Sequence, residues 1–162
     1  MPHFYAPDHG YDEHQARAAL DALIGAIVTG IRVFTLDELR TSDNGRDVHA
    51  DLAIELSLDQ NGSETVACFH WGVNNFVEQL CVWREPLRMI WPPHAGSPTY
   101  ELPRSWPGWP DGRLRAVEAL KLDPEAVGVN RAELRFDRGG LRIQTGGLDG
   151  DEVDSLLLSP LD

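Results

Sequence analysis

Two residues capable of nucleophilic or proton-transfer chemistry, Cys68 and His70, stand two positions apart in this sequence. In an extended strand, positions i and i+2 face the same side, so a thiolate–imidazole pair is geometrically accessible. The neighbours Ala67 and Phe69 instead favour a buried thiol, and burial raises a thiol pKa unless a cation opposes it. The pattern therefore favours a packed strand over a nucleophile.

The histidines and carboxylates show no spacing typical of a metal site. No two of the six histidines stand four residues apart, and the two cysteines lack the spacing of a zinc knuckle. His3, His9 and His14 fall in one N-terminal stretch, as surface histidines often do. The glycine patterns of a nucleophile elbow, a P-loop and a dinucleotide fold are all missing. The sequence predicts no metal, no cofactor and no catalytic residue.

Residues 91–110 have a composition unlike the rest of the chain, with six of the eleven prolines and three of the five tryptophans. Proline removes backbone donors, so we expect a long loop or lid. Aromatic rings beside an arginine resemble the rigid anchors of binding hot spots. The candidate binding residues are Trp91, His94, Tyr100, Arg104, Trp106 and Trp109. The alternative is that these rings fold back as a lid over a sheet.

The formal net charge of −12 argues against nucleic-acid binding, which needs a basic face. An acidic surface instead favours a basic protein partner, because opposite charges speed the encounter. No apolar run is long enough to span a membrane. The first residues lack the pattern of a secretory signal, so the sequence predicts a cytoplasmic protein.

The periodicity predicts an amphipathic helix over residues 12–30, with Asp12 and Gln15 as a capping box and Gly30 as its end. Thr35 and Glu38 form a second capping pattern, which predicts one short helical turn. Strands follow at 51–59 and 65–71, joined at Asn61-Gly62, and at 131–145, joined at a glycine pair. The ladder of polar residues Arg131, Glu133, Arg135, Arg142 and Gln144 is expected to face water.

Two segments, 75–84 and 113–122, fit a helix and a strand equally well. In the first, Asn75 and Glu78 form a capping pair while alternate residues are apolar. The whole pattern predicts an α+β fold: an N-terminal amphipathic helix packed on a mainly antiparallel sheet of about 5–6 strands. We expect one domain over residues 1–162.

Three functions are compatible with these features. The first is a non-catalytic acidic module that binds a basic protein, in the manner of an immunity or antitoxin protein. The second is a small hydrolase or metal-assisted enzyme with His70 and His94 under the 91–110 loop. The third is an accessory subunit whose tryptophan-rich loop docks on another chain.

Overall fold

The computed structural model describes residues 10–74, 77–149 and 152–161. It shows a molecule dominated by antiparallel sheet, with 48% strand and 11% helix. The predicted α+β fold with 5–6 strands is therefore wrong, since eleven strands and only one substantial helix occur among the described residues. Three of the missed strands are only two or three residues long, too short to show any alternation of apolar residues.

The helix α1 spans Glu13–Asp21, and its predicted capping box is confirmed. The Asp12 side chain accepts the Gln15 backbone N–H, and the Gln15 side chain accepts that of Asp12. The predicted extension to residue 30 is wrong. Gly25 adopts a φ of 92°, which ends the helical path, and the β-branched residues after it start a strand instead.

The strands follow in chain order: β1 (Ile27–Phe34), β2 (Arg40–Thr41), β3 (Val48–Ala50), β4 (Ala53–Gln60), β5 (Ser63–Asn74), β6 (Val77–Trp83), β7 (Thr99–Glu101), β8 (Asp111–Leu120), β9 (Arg131–Arg138), β10 (Gly140–Thr145) and β11 (Leu156–Pro160). A four-residue helix α2 (Leu87–Ile90) and a 3₁₀ turn (Pro92–His94) lie between β6 and β7. Both ambiguous segments are mainly strand: β6 covers residues 77–83 of the first, and β8 covers residues 113–120 of the second. The capping residue Asn75 lies outside the described residues. The predicted helical turn after Thr35 is not formed, and residues 36–38 are bends.

Across the sheet the order is β2-β3-β11-β10-β9-β8-β1-β4-β5-β6, with β7 also paired to β1. Both predicted hairpins are confirmed, because β4 pairs with β5 and β9 pairs with β10. A single residue pair, Ile27 with Arg113, joins β1 to β8. One hydrophobic core contains side chains from both halves of the sheet, and α1 adds Ala16 and Leu20 to it.

A second, smaller core lies on the other face of β4 and β5. It contains Phe34, Leu52, Ala53, Cys68, Leu87 and Trp91. The last two come from α2 and the residue that follows it. The segment after β6 therefore folds back onto the sheet, and the 91–110 region includes a 3₁₀ turn and β7 rather than being an unstructured loop.

Candidate functional site

Cys68 and His70 are fully buried in β5. Burial raises the pKa of the Cys68 thiol well above its ordinary value. His70 Nδ1 donates to the Trp71 carbonyl at 2.7 Å, and Nε2 accepts the Trp83 indole N–H at 2.8 Å. Burial lowers the pKa of His70 to about 4. Because both ring nitrogens are already bonded, His70 acts as a structural link between β5 and β6.

Trp91 and His94 are brought together on the second core. The Trp91 ring is 3% exposed and its centroid lies 4.7 Å from that of His94 and 5.6 Å from that of His70. Burial lowers the pKa of His94. The Glu55 carboxylate accepts the Leu87 backbone N–H at 2.6 Å and so fixes α2 on the sheet. The two histidines of the enzyme hypothesis therefore both lie near the ring of one buried tryptophan.

The other candidate binding residues differ in exposure. Trp106 is 6% exposed, and its indole N–H donates to the Gly45 carbonyl at 3.0 Å. Trp109 is half-buried beneath the guanidinium of Arg104, 4.9 Å from the ring centroid. Arg104 and Tyr100 are exposed. Of the six residues, only these two are exposed, and Tyr100 is only 36% exposed.

Within the part of the chain that the structure describes, a cavity of about 90 Å³ borders the 91–110 segment. It is lined by Pro107, Gly108, Trp109, Gly139, Gly140, Pro160 and Leu161. Neither histidine of the enzyme hypothesis reaches it.

A larger, open cleft of about 370 Å³ lies at the start of β6, a position that no sequence pattern predicted as a site. Its lining combines apolar, acidic and neutral polar side chains: Val77, Glu78, Leu122, Asp123, Asn130, Thr145 and Val153. Leu122 and Val153 are 50% and 66% exposed and line the same cleft. The cleft therefore offers water-exposed apolar surface directly beside carboxylates.

Glu78 is the half-buried carboxylate of this cleft. One of its oxygens accepts the Asp154 backbone N–H at 2.7 Å. Burial raises the pKa of Glu78, because a desolvated carboxylate is less stable when charged. Within the described part of the chain, no lysine or arginine forms an ion pair with it.

Asn130 joins the two walls of the cleft. Its side-chain oxygen accepts the backbone N–H groups of Leu122 and Asp123, at 2.9 and 3.2 Å. Its side-chain nitrogen donates to the Glu78 carbonyl at 2.7 Å. The two walls of the cleft, at residues 122–123 and 77–78, each carry one apolar and one acidic side chain and are thus connected through Asn130.

The polar ladder on β9 and β10 is less open to water than predicted, because Glu133 is only 7% exposed. Arg131, Arg135 and Arg142 surround its carboxylate at 3.8, 3.4 and 3.5 Å. These arginine stems cover the carboxylate. The cluster pairs its charges internally, unlike Glu78.

Comparisons with known proteins gave no match: no family model, no curated protein and no solved structure is similar to this chain. The described residues contain no group of three or more histidines, cysteines and carboxylates placed to hold a metal ion. His3 and His9 lie outside the described residues. No described helix is both long and apolar enough to cross a membrane.

Proposed function

We propose that this chain is a non-catalytic, acidic protein-binding module whose partner is a basic protein, in the manner of an immunity or antitoxin protein. The observation that supports this most directly is the open cleft around Glu78, in which a half-buried carboxylate without an ion-pair partner among the described residues stands beside exposed apolar side chains.

The cleft suits the side chain of a lysine or arginine. Such a side chain has an apolar stem and a cationic head, and buries the stem while the head finds an acceptor. Here Leu122 and Val153 would contact the stem, and the Glu78 carboxylate would receive the cation. A charge-assisted hydrogen bond in a partly desolvated position is among the stronger polar contacts available to an interface.

The net charge of −12 adds long-range attraction for a basic partner. A cytoplasmic encounter is part of this proposal, supported by two buried cysteines that are both free thiols.

The direct test measures binding of the purified chain to basic proteins, including the product of the adjacent gene, by isothermal titration calorimetry. We expect Glu78→Gln to weaken the complex about 10- to 100-fold, because a charge-assisted hydrogen bond contributes roughly 1.5–3 kcal/mol. Glu64→Gln is the matched control, since Glu64 is exposed at the opposite end of β5, and it should change affinity less than about twofold. Absence of any salt-sensitive complex with these proteins would refute the proposal.

A further inference from the structure

Among the described residues, the strand β7 has backbone groups on one side that pair with no other strand. It hydrogen-bonds to β1, as shown by the Thr35 N–H donating to the Pro98 carbonyl and the Leu102 N–H donating to the Ile31 carbonyl, both at 2.9 Å. Backbone groups of successive residues in an antiparallel strand point to alternate sides. Tyr100, midway between those two bonds and opposite Val33, therefore also directs its backbone toward β1.

It follows that Thr99 and Glu101 direct their N–H and C=O groups away from β1. All three residues of β7 are exposed, and β7 pairs with no strand other than β1 in the part of the chain that the structure describes. The Pro98 carbonyl faces β1, and the N–H and C=O of one residue in an antiparallel strand point to the same side. The N–H that proline lacks is therefore missing on the β1 side, and the outer edge of β7 is unaffected. Pro103, two residues after Glu101, ends it.

At β6, by contrast, groups from other parts of the chain bind the backbone of the edge strand. The Tyr11 hydroxyl accepts the Val82 N–H and donates to the Val82 carbonyl, both at 2.7 Å. The Leu80 N–H donates to the Val129 carbonyl at 2.8 Å. Natural proteins usually protect exposed strand edges from other chains, and here the protection extends to β6 and not to β7.

We propose that β7 receives an extended, basic segment of the partner protein as an added strand. This inference rests on the proposed function. A segment lying along β7 would exchange backbone hydrogen bonds with Thr99 and Glu101. Its basic character follows from the exposed carboxylates just beyond β1, Asp37 and Glu38. The Glu101 side chain is 75% exposed but already forms an ion pair with Arg32 at 3.1 Å.

The β7 edge and the Glu78 cleft lie at the same end of the sheet. A row of paired residues runs from Phe34 on β1 through Ala53 and His70 to Cys81 on β6, and Glu78 lies three residues beyond it. The two sites are about four strand spacings apart, roughly 19 Å along the sheet.

The test uses a seven-residue peptide of alternating arginine and valine, added to the full chain and followed by amide NMR and hydrogen exchange. We expect new protection of the Thr99 and Glu101 amides, and no change for Tyr100, whose amide is already bonded. A fully N-methylated peptide of the same charge should bind at least tenfold more weakly. Equal binding of the two peptides, or unprotected Thr99 and Glu101 amides, would overturn strand addition.

Two protein variants separate this inference from the proposed function. Thr99→Pro removes one outward N–H group and should weaken peptide binding at least fivefold, whereas Thr99→Val keeps the backbone and should not. If a basic partner protein binds with Glu78-dependent affinity while the Thr99 and Glu101 amides stay unprotected in the complex, the strand addition is wrong and the proposed function stands. If no basic protein binds but the peptide protects these amides, the proposed function fails instead.

Discussion

At the scale of single residues, the decisive distinction is between buried polar groups that are satisfied and those that are not. His70 has a partner on each ring nitrogen, whereas Glu78 has one backbone N–H and no cation among the described residues. Cys68 and His70 could be assigned to the interior from their apolar neighbours alone. The cleft could not, because its lining comes from segments near residues 77, 122, 130, 145 and 153 that meet only in the folded chain.

His70 should make the stability of the fold dependent on pH. Its pKa is lowered from the ordinary value to about 4 in the folded chain, so only the unfolded chain takes up the proton as pH falls from about 6.5 toward 4. The His70 contribution is therefore complete above pH 6.5 and falls by about 3 kcal/mol by pH 4. Urea unfolding at several pH values measures this loss.

His70→Gln can retain hydrogen bonds to both neighbours without titrating, so its free energy of unfolding should fall less steeply over this range. His14→Gln, at an exposed position of α1, should keep the steeper decline of the native chain. Parallel pH profiles for all three proteins would contradict the role given to His70.

At the scale of secondary-structure elements, the sequence patterns that continue unbroken through an element predicted that element correctly. The apolar patterns that a glycine or an irregular strand interrupts did not. The hairpins at Asn61-Gly62 and Gly139-Gly140 formed as the sequence indicated. The ambiguity of 113–122 has a physical cause, since β8 contains irregularities in its pairing with β9 and its buried residues do not alternate evenly. The error in α1 arose because Ile27 and Val28 lie at helical spacing from Leu20 and Leu23 but follow the left-handed Gly25.

The Tyr11 hydroxyl should stabilise the β6 edge. Tyr11→Phe leaves both the N–H and the C=O of Val82 buried without a partner, and we expect the free energy of unfolding to fall by about 2–3 kcal/mol. Tyr100→Phe is the control, because its hydroxyl makes only an exposed contact of 3.3 Å to the Asp37 carbonyl. That variant should differ from the native chain by less than about 0.5 kcal/mol in urea unfolding. Equal losses of unfolding free energy in the two variants would contradict a stabilising role for the hydrogen bonds between Tyr11 and Val82.

At the scale of the whole molecule, part of the charge is paired internally and part is available to a partner. Glu133 forms ion pairs with three arginines, and Arg40 makes two hydrogen bonds of 2.8 Å to Glu152. The Arg40 guanidinium favours the charged form of the Glu152 carboxylate and lowers its pKa to about 2. Net charge could be read from composition, but which acids remain unpaired could not, because the pairing depends on the register of distant strands.

The proposed complex should therefore form faster at low ionic strength. Between about 20 and 500 mM salt we expect the association rate constant to fall at least tenfold, because salt screens charges that lie far apart. The dissociation rate constant should change much less, since it depends on close contacts such as that of Glu78. Stopped-flow mixing measures both, and an association rate independent of salt would contradict electrostatic steering.

The position of β11 between β3 and β10 has a consequence for how the chain folds as it is made. The residues that pair with β3 are synthesised about a hundred residues after it. Until then, Val48–Ala50 has no partner on the side away from β2, while the β4–β5–β6 meander can already form from local contacts. The nascent chain thus passes through a stage in which one half of the sheet is built and an open strand edge remains, a stage at which chaperones or aggregation would compete with completion of the fold.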